Sequence, residues 1–170
     1  MKNIFLVGMP SSGKTTLGKI LTRHIRYRFV DTDQMIVKNE GLPIAQIFEQ
    51  KGEAYFRQAE ASTLRAIRPN SKLIVSTGGG MPFYHANMHY INQNGISIFL
   101  DVPLLELVHR ILKHADDDRP LYQKNDEQLL EVLQQKYDER ISCYRQANLT
   151  ITPDTPIKEI VQRLTPYLSI

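Results

Sequence analysis

The 170-residue sequence has no tryptophan, a single cysteine, and no apolar run approaching the ~20 residues a bilayer span needs. Each shortage removes a class of function. The lone thiol, Cys143, cannot close an intrachain disulfide, so stability must come from a packed core. It falls on a helical pattern, where a semi-buried inert thiol is expected rather than a nucleophile. Met1-Lys2-Asn3 leads straight into a short apolar segment without the long apolar stretch of a secretory signal, so a cytoplasmic protein with no membrane partner is expected. Charge of one sign is also scarce: 21 basic residues against 18 acidic ones leave a net +3. That is too mild to demand nucleic acid, and His24-Ile25-Arg26-Tyr27-Arg28 reads as the solvated end of a helix. It suits an anionic small molecule. The five histidines do not converge, and although His85 and His89 can share a helix face, no third metal ligand accompanies them.

What the sequence does have is a loop. Gly8-Met9-Pro10-Ser11-Ser12-Gly13-Lys14-Thr15 lies directly behind the apolar run Ile4 to Val7 and directly ahead of a helical pattern. Strand before and helix after is the setting in which Gly-x-x-x-x-Gly-Lys-Thr cradles a polyphosphate with its backbone N–H groups. Lys14 reaches the outer phosphates, the Thr15 hydroxyl can ligate Mg²⁺, and the helix N-terminus adds a favourable partial charge. Gly8, Ser11, Ser12, Gly13, Lys14, Thr15 and Thr16 are therefore the candidate nucleotide-binding residues. The competing reading is a glycine-rich turn with an exposed lysine.

Short apolar segments without clean alternation read as buried strands over Asn3 to Val7, Arg28 to Asp31, Lys72 to Ser76, Ile96 to Asp101 and Leu149 to Thr152. Helical patterns lie between them: Lys14 to Ile25, Thr32 to Asn39, Ile44 to Gln50, Glu53 to Ile67, His85 to Asn94, Leu104 to His114, Asp126 to Ala147 and Ile157 to Leu168. The alternation predicts an α/β fold, a three-layer sandwich around a parallel sheet, with the ligand at the carboxyl ends of the strands. One domain over residues 1–170 is expected. Two stretches depart from the alternation. Residues from about 32 to 62 hold more helix than one crossover needs and have room for a substrate lobe, and residues from about 113 to 125 are polar enough to predict a mobile loop.

Several residues at strand ends and on helix faces look chemical. Asp31 ends the second strand segment and Asp33 follows two residues later; such close carboxylates repel unless a cation or hydroxyl donor shares them. Helix capping by Thr32 or Asp33 is the alternative. Asp101, also at a strand end, is explained by the helix start that follows it. On the pattern from Asp126, Leu133, Tyr137, Arg140 and Tyr144 follow one stripe, so Arg140 points where its neighbours pack and needs an anion. Arg57 flanks the inner face of the helix from Glu53, with Glu60 inside that face; together Arg57 and Arg140 would clamp a carboxylate, and an intrahelical Arg57–Glu60 pair is the simpler alternative. Gly78-Gly79-Gly80 costs folding entropy that a close ligand would justify, or a connection needing positive φ. Arg119, in the polar loop, can stabilise a transferring phosphoryl group on closure, or simply pair with Asp116 to Asp118.

In order and together, these motifs resemble shikimate kinase, a small member of the nucleoside monophosphate kinase-like group. They are the phosphate loop, Asp31-Thr32-Asp33, Gly52-Glu53-Ala54-Tyr55-Phe56-Arg57 with Glu60, the glycine triplet, Arg119-Pro120-Leu121, and Arg140 four residues before Tyr144. The resemblance implies ATP- and Mg²⁺-dependent phosphorylation of the 3-hydroxyl of shikimate, on a five-stranded parallel sheet in the order 2-3-1-4-5 with a substrate lobe and a lid. It implies that Asp33 holds the attacking hydroxyl, that Arg57, Arg140 and the backbone at Gly79 and Gly80 bind the carboxylate with Glu60 orienting Arg57, and that Gly78 also belongs to the substrate-binding set. It also implies that Lys14 and Arg119 neutralise phosphoryl charge, that Thr15 with Asp31, through water, holds Mg²⁺, and that Arg110 packs on adenine. A monomer acting on small molecules is expected. The segment Arg140-Ile141-Ser142-Cys143-Tyr144 departs from the family's usual Pro-Leu before the tyrosine.

A kinase of gluconate or of a nucleoside monophosphate would share the loop and sheet without needing two inward arginines and a triple glycine. A GTPase-like switch would need Asp-x-x-Gly after a strand and Asn-Lys-x-Asp, and the sequence has neither. A non-catalytic ATP-binding module leaves Asp33, Arg57 and Arg140 without a task.

Overall fold

The computed structural model of the chain describes residues 1–113 and 126–168. The predicted lid and its Arg119 lie outside the described residues. At the centre is β1 (Asn3–Val7), buried along its whole length and paired in parallel with β3 (Leu73–Ser76) on one side and β4 (Gly95–Leu100) on the other. Edge strands β2 (Arg28–Asp31) and β5 (Leu149–Ile151) complete the order β2-β3-β1-β4-β5, every pair parallel. This is the order that the resemblance implies.

Side chains alternate across a strand, and β1 shows why its run had to be apolar throughout. Ile4 and Leu6 enter one core with Leu17 and Leu21 of α1 (Lys14–Ile25) and Ile160 and Leu164 of α7 (Ile157–Leu168). Phe5 and Val7 enter the other, with Ile36 of α2 (Thr32–Glu40), Leu64 of α3 (Ile44–Ala66), Ile91 of α4 (Asn87–Asn94), Leu107 of α5 (Leu104–Lys113) and Leu133 of α6 (Asp126–Tyr144). At about 1.5–3 kcal/mol for each large apolar side chain removed from water, these two layers hold the sheet. No helix among the described residues is long and apolar enough to cross a membrane.

Boundaries differ from the sequence expectation in a few places. The helices expected at 44–50 and 53–67 run as one element, α3, with a kink where Gly52 leaves helical geometry (φ 82, ψ 169). α4 starts at Asn87 rather than His85, because His85 and Ala86 both adopt left-handed backbone (φ 51 and 54). α6 ends at Tyr144 rather than Ala147. Register does the positioning that matters: Leu6 of β1 and Asp31 of β2 both lie opposite Ser76 of β3. The phosphate loop, Thr32-Asp33 and Thr77 to Gly80 therefore all leave the sheet at one rim.

Candidate active site

A cleft of about 640 Å³ opens at that rim, lined by residues of the phosphate loop, Asp31, Asp33, Arg57, Glu60, the glycine triplet, Arg110 and Arg140. Residues from α1, α3, α5 and α6, far apart in sequence, meet there. Of the predicted site residues, Gly8 opens the loop but does not itself line the cleft, and Arg119 lies outside the described residues.

The phosphate loop is braced from within. Lys14 is buried, and its ammonium donates to the carbonyls of Gly8 and Met9 at 3.0 and 2.8 Å and to Ser12 Oγ at 3.4 Å. Gly8 and Gly13 hold φ of 145° and 98°, a region that residues with side chains rarely adopt. From α5, the Arg110 guanidinium donates to the carbonyls of Ser12 (2.8 Å) and Ser11 (3.3 Å) and pairs with Glu106. Arg110 thus ties α5 to the loop, in addition to walling the cleft.

Asp31 divides its two oxygens. Oδ1 caps α2, accepting from the N–H groups of Asp33 (3.0 Å) and Gln34 (3.4 Å). The α2 cap is therefore Asp31 rather than Thr32 or Asp33, and Thr32 instead receives the Gly78 N–H at 3.0 Å. Oδ2 accepts from the Thr15 hydroxyl at 3.0 Å, and Ser76 Oγ lies 3.3 Å from the same hydroxyl. Two hydroxyls and one carboxylate oxygen form an all-oxygen cluster beside the phosphate loop. That donor set fits Mg²⁺, which takes one or two protein oxygens, keeps several waters and relies on substrate phosphates. Asp101 is not part of it; its Oδ1 accepts from Tyr137 of α6 at 3.3 Å.

The same cleft holds a charged cluster in which Arg57 and Glu60 are buried and Glu53 is exposed at the edge. Arg57 donates to Glu60 Oε2 at 2.8 Å and, through Nε and a terminal nitrogen, to Glu53 Oε1 at 3.1 and 2.9 Å. Tyr84 covers the guanidinium, 4.3 Å from ring centroid to Cζ, while Phe56 lies 5.4 Å away. Burial pushes the Glu60 carboxyl up to about 7, partly offset by Arg57 and reinforced by the charge of Asp33. Burial thus favours the neutral form of Glu60, while its ion pair with Arg57 at 2.8 Å favours the charged one.

The glycine triplet is explained by these neighbours. None of Gly78, Gly79 and Gly80 has positive φ. A methyl group at Gly78 would sit 2.7 Å from Asp33 Oδ1 and 2.9 Å from Glu60 Oε1; at Gly80 it would sit 2.5 Å from an Arg57 nitrogen, and at Gly79 2.7 Å from the Pro10 ring. Glycine is needed here because Asp33, Glu60, Arg57 and the Pro10 ring press against the backbone. Tyr144, stacked on Phe99 at 5.2 Å, donates its hydroxyl to the Gly79 carbonyl and so fixes the triplet to α6.

Arg140 is buried on α6, and its Nε has no hydrogen-bond partner among the described residues. A buried guanidinium with an unsatisfied N–H is chemically able to receive an anion. Cys143 is buried, its thiol donating to the Pro82 carbonyl at 3.3 Å, and burial pushes its pKa up, as befits an inert thiol. Sequence reasoning missed three participants. Glu53 and Tyr84 touch Arg57, and Lys136 stands one turn before Arg140, its ammonium held below the ordinary lysine value by burial and then by the charges of Arg140 and Arg57. Only the i, i+4 spacings of Glu53 to Arg57 and of Lys136 to Arg140 carried a signal in sequence.

Comparison with known proteins gives a consistent match. The shikimate kinase family model matches residues 10–169. A shikimate kinase from Sulfurihydrogenibium sp. is 43% identical over 167 residues, covering 97% of each chain. Among solved structures, shikimate kinase from Acinetobacter baumannii in complex with shikimate has a TM-score of 0.89 at 30% identity, covering 100% of this chain and 96% of that one. Shikimate kinase from Bacteroides thetaiotaomicron has a TM-score of 0.87 at 33% identity, covering 99% and 98%.

Proposed function

The chain belongs to the shikimate kinase family, ATP- and Mg²⁺-dependent enzymes that phosphorylate shikimate, and from that premise we propose how its residues divide the work. Asp33 holds the 3-hydroxyl of shikimate and takes its proton as that oxygen bonds to the terminal phosphorus of ATP. The bond to the bridging oxygen breaks, and ADP leaves. Lys14, and on sequence grounds Arg119, offset the charge that spreads over the transferring phosphoryl group. Thr15 and Asp31, the latter through water, are the residues to hold Mg²⁺, which when bound neutralises phosphate charge. Arg110, bonded to the phosphate loop, packs on adenine. Arg57, Arg140 and the backbone at Gly79 and Gly80 bind the carboxylate, with Glu60 orienting Arg57, and Gly78 also belongs to the substrate-binding set.

The lobe of residues from about 32 to 62 supplies Asp33, Arg57 and Glu60, and the segment from about 113 to 125 serves as the lid, excluding water during transfer. The enzyme is taken to work as a cytoplasmic monomer, as its sequence leads us to expect.

One observation favours an anionic, carboxylate-bearing acceptor over a neutral one: two buried arginines, from α3 and α6, face one cleft. Charge-assisted hydrogen bonds contribute about 1.5–3 kcal/mol each, so Arg140→Ala is expected to raise the KM for shikimate roughly 10- to 100-fold. Steady-state kinetics checks this, with kcat and the KM for ATP staying near the parent values; an unchanged shikimate KM removes Arg140 from the clamp.

A further inference from the structure

We propose that Lys136 is a third cation of the carboxylate site, tightening binding of the anionic acid and selecting it over uncharged analogues with the same hydroxyls. This rests on the shikimate kinase reading above. Leu133 and Arg140, respectively three residues before and four after Lys136 on α6, are both buried, which places Lys136 on the flank of the inward face. It is half-buried there. At 1.5 Å rise per residue, its Cα lies about 6 Å along the axis from that of Arg140.

The groups that bear on Lys136 come from two helices: Arg140 and Glu139 from its own, Arg57 and Glu53 from α3. Like charges dominate. Glu53 could balance the lysine, but its Oε1 already accepts from two nitrogens of Arg57 and lies 3.4 Å from the Tyr84 hydroxyl, and its side chain is 56% exposed. No Lys136 ion pair within 4 Å occurs among the described residues. A solvated surface lysine would swing clear of two guanidinium groups. Lys136 is instead half-buried one turn from Arg140, where it feels both charges and where burial also strengthens its pull on an anion.

A carboxylate arriving between Arg57 and Arg140 turns this repulsion into attraction. The consequence has opposite signs in the two states of the enzyme. Removing the lysine charge relieves the free protein and weakens the complex, whereas a lysine that merely packs would weaken both or only the first.

The test uses the full chain with Lys136→Met, which keeps the stem and deletes the charge, beside Lys136→Arg, which keeps the charge. For Lys136→Met we expect the shikimate KM to rise about 5- to 10-fold, the size of one interaction between charges in a partly screened site. kcat and the KM for ATP should stay within about 2-fold, by the logic of uniform binding loss. The melting temperature without ligand should hold or rise, and the upward shift produced by shikimate should shrink. Lys136→Arg should restore the KM, and the preference for shikimate over its uncharged methyl ester should fall in Lys136→Met alone. If Lys136→Met does not fold, Lys136→Gln carries the same expectations. An unchanged shikimate KM in an enzyme that still phosphorylates shikimate overturns this inference and leaves the kinase assignment standing. A parent enzyme that fails to phosphorylate shikimate overturns both.

Discussion

Replacing Lys14 by Met is expected to lower kcat about 10³-fold with the overall fold retained. The magnitude follows from what the ammonium does: removing one preorganised donor aimed at developing charge costs about 10²–10³ in kcat, and here the donor carries a full charge in a dry site. The substitution is nearly isosteric, so it leaves no cavity. It does strip a donor from the Gly8 and Met9 carbonyls, now bonded at 3.0 and 2.8 Å, which costs about 1–3 kcal/mol of stability. At about 2–4 °C per kcal/mol for a chain of this size, the melting temperature drops by several degrees. Lys14→Arg should not rescue turnover, because the planar fork does not fit a pocket shaped around a compact ammonium. Single-turnover kinetics beside circular dichroism separates the two effects. A loss below about 10-fold in a folded variant would show that the phosphate charge is handled elsewhere.

The second large effect is at Asp33. Asp33→Asn keeps size and a hydrogen-bond acceptor but loses the charge and the capacity to take a proton, so kcat is expected to fall about 10²–10³-fold with a small rise in the shikimate KM. Asp33 stands against Gly78 and acts electrostatically on Glu60, whose carboxyl its charge helps to raise. The substitution should therefore also lower the Glu60 pKa from about 7, moving any pH dependence of shikimate binding to lower pH. Rate profiles against pH, measured for both proteins, read both consequences. A kcat within about 10-fold of the parent would mean that orientation of the hydroxyl suffices and that proton abstraction contributes little.

Much of this site was legible in sequence because its parts obey local rules. The phosphate loop needs a strand before it and a helix after it, and β1 and α1 supply them. Arg140 stood out because it interrupts an apolar stripe, and burial bears that out. The glycine triplet announced a close approach but not what approaches: Asp33, Glu60, Arg57 and Pro10 are brought there by β2, α3 and the phosphate loop, which only the folded sheet aligns. In sequence the α2 cap lay between Thr32 and Asp33; the structure gives it to Asp31 Oδ1, while Asp31 Oδ2 accepts from the Thr15 hydroxyl. Lys136 was hidden for a plainer reason. Between Gln135 and Tyr137 it looks like any solvated lysine, and its meaning comes from Arg57 and Glu53 on another helix, a tertiary relation that helical periodicity does not carry.

The most direct test of the account is ADP release by the purified chain with ATP and Mg²⁺, measured against shikimate, gluconate and nucleoside monophosphates in parallel. Strong stimulation by shikimate, with little or none by the others, is the predicted result. Release that shikimate does not stimulate, or that a nucleoside monophosphate stimulates more, would contradict it.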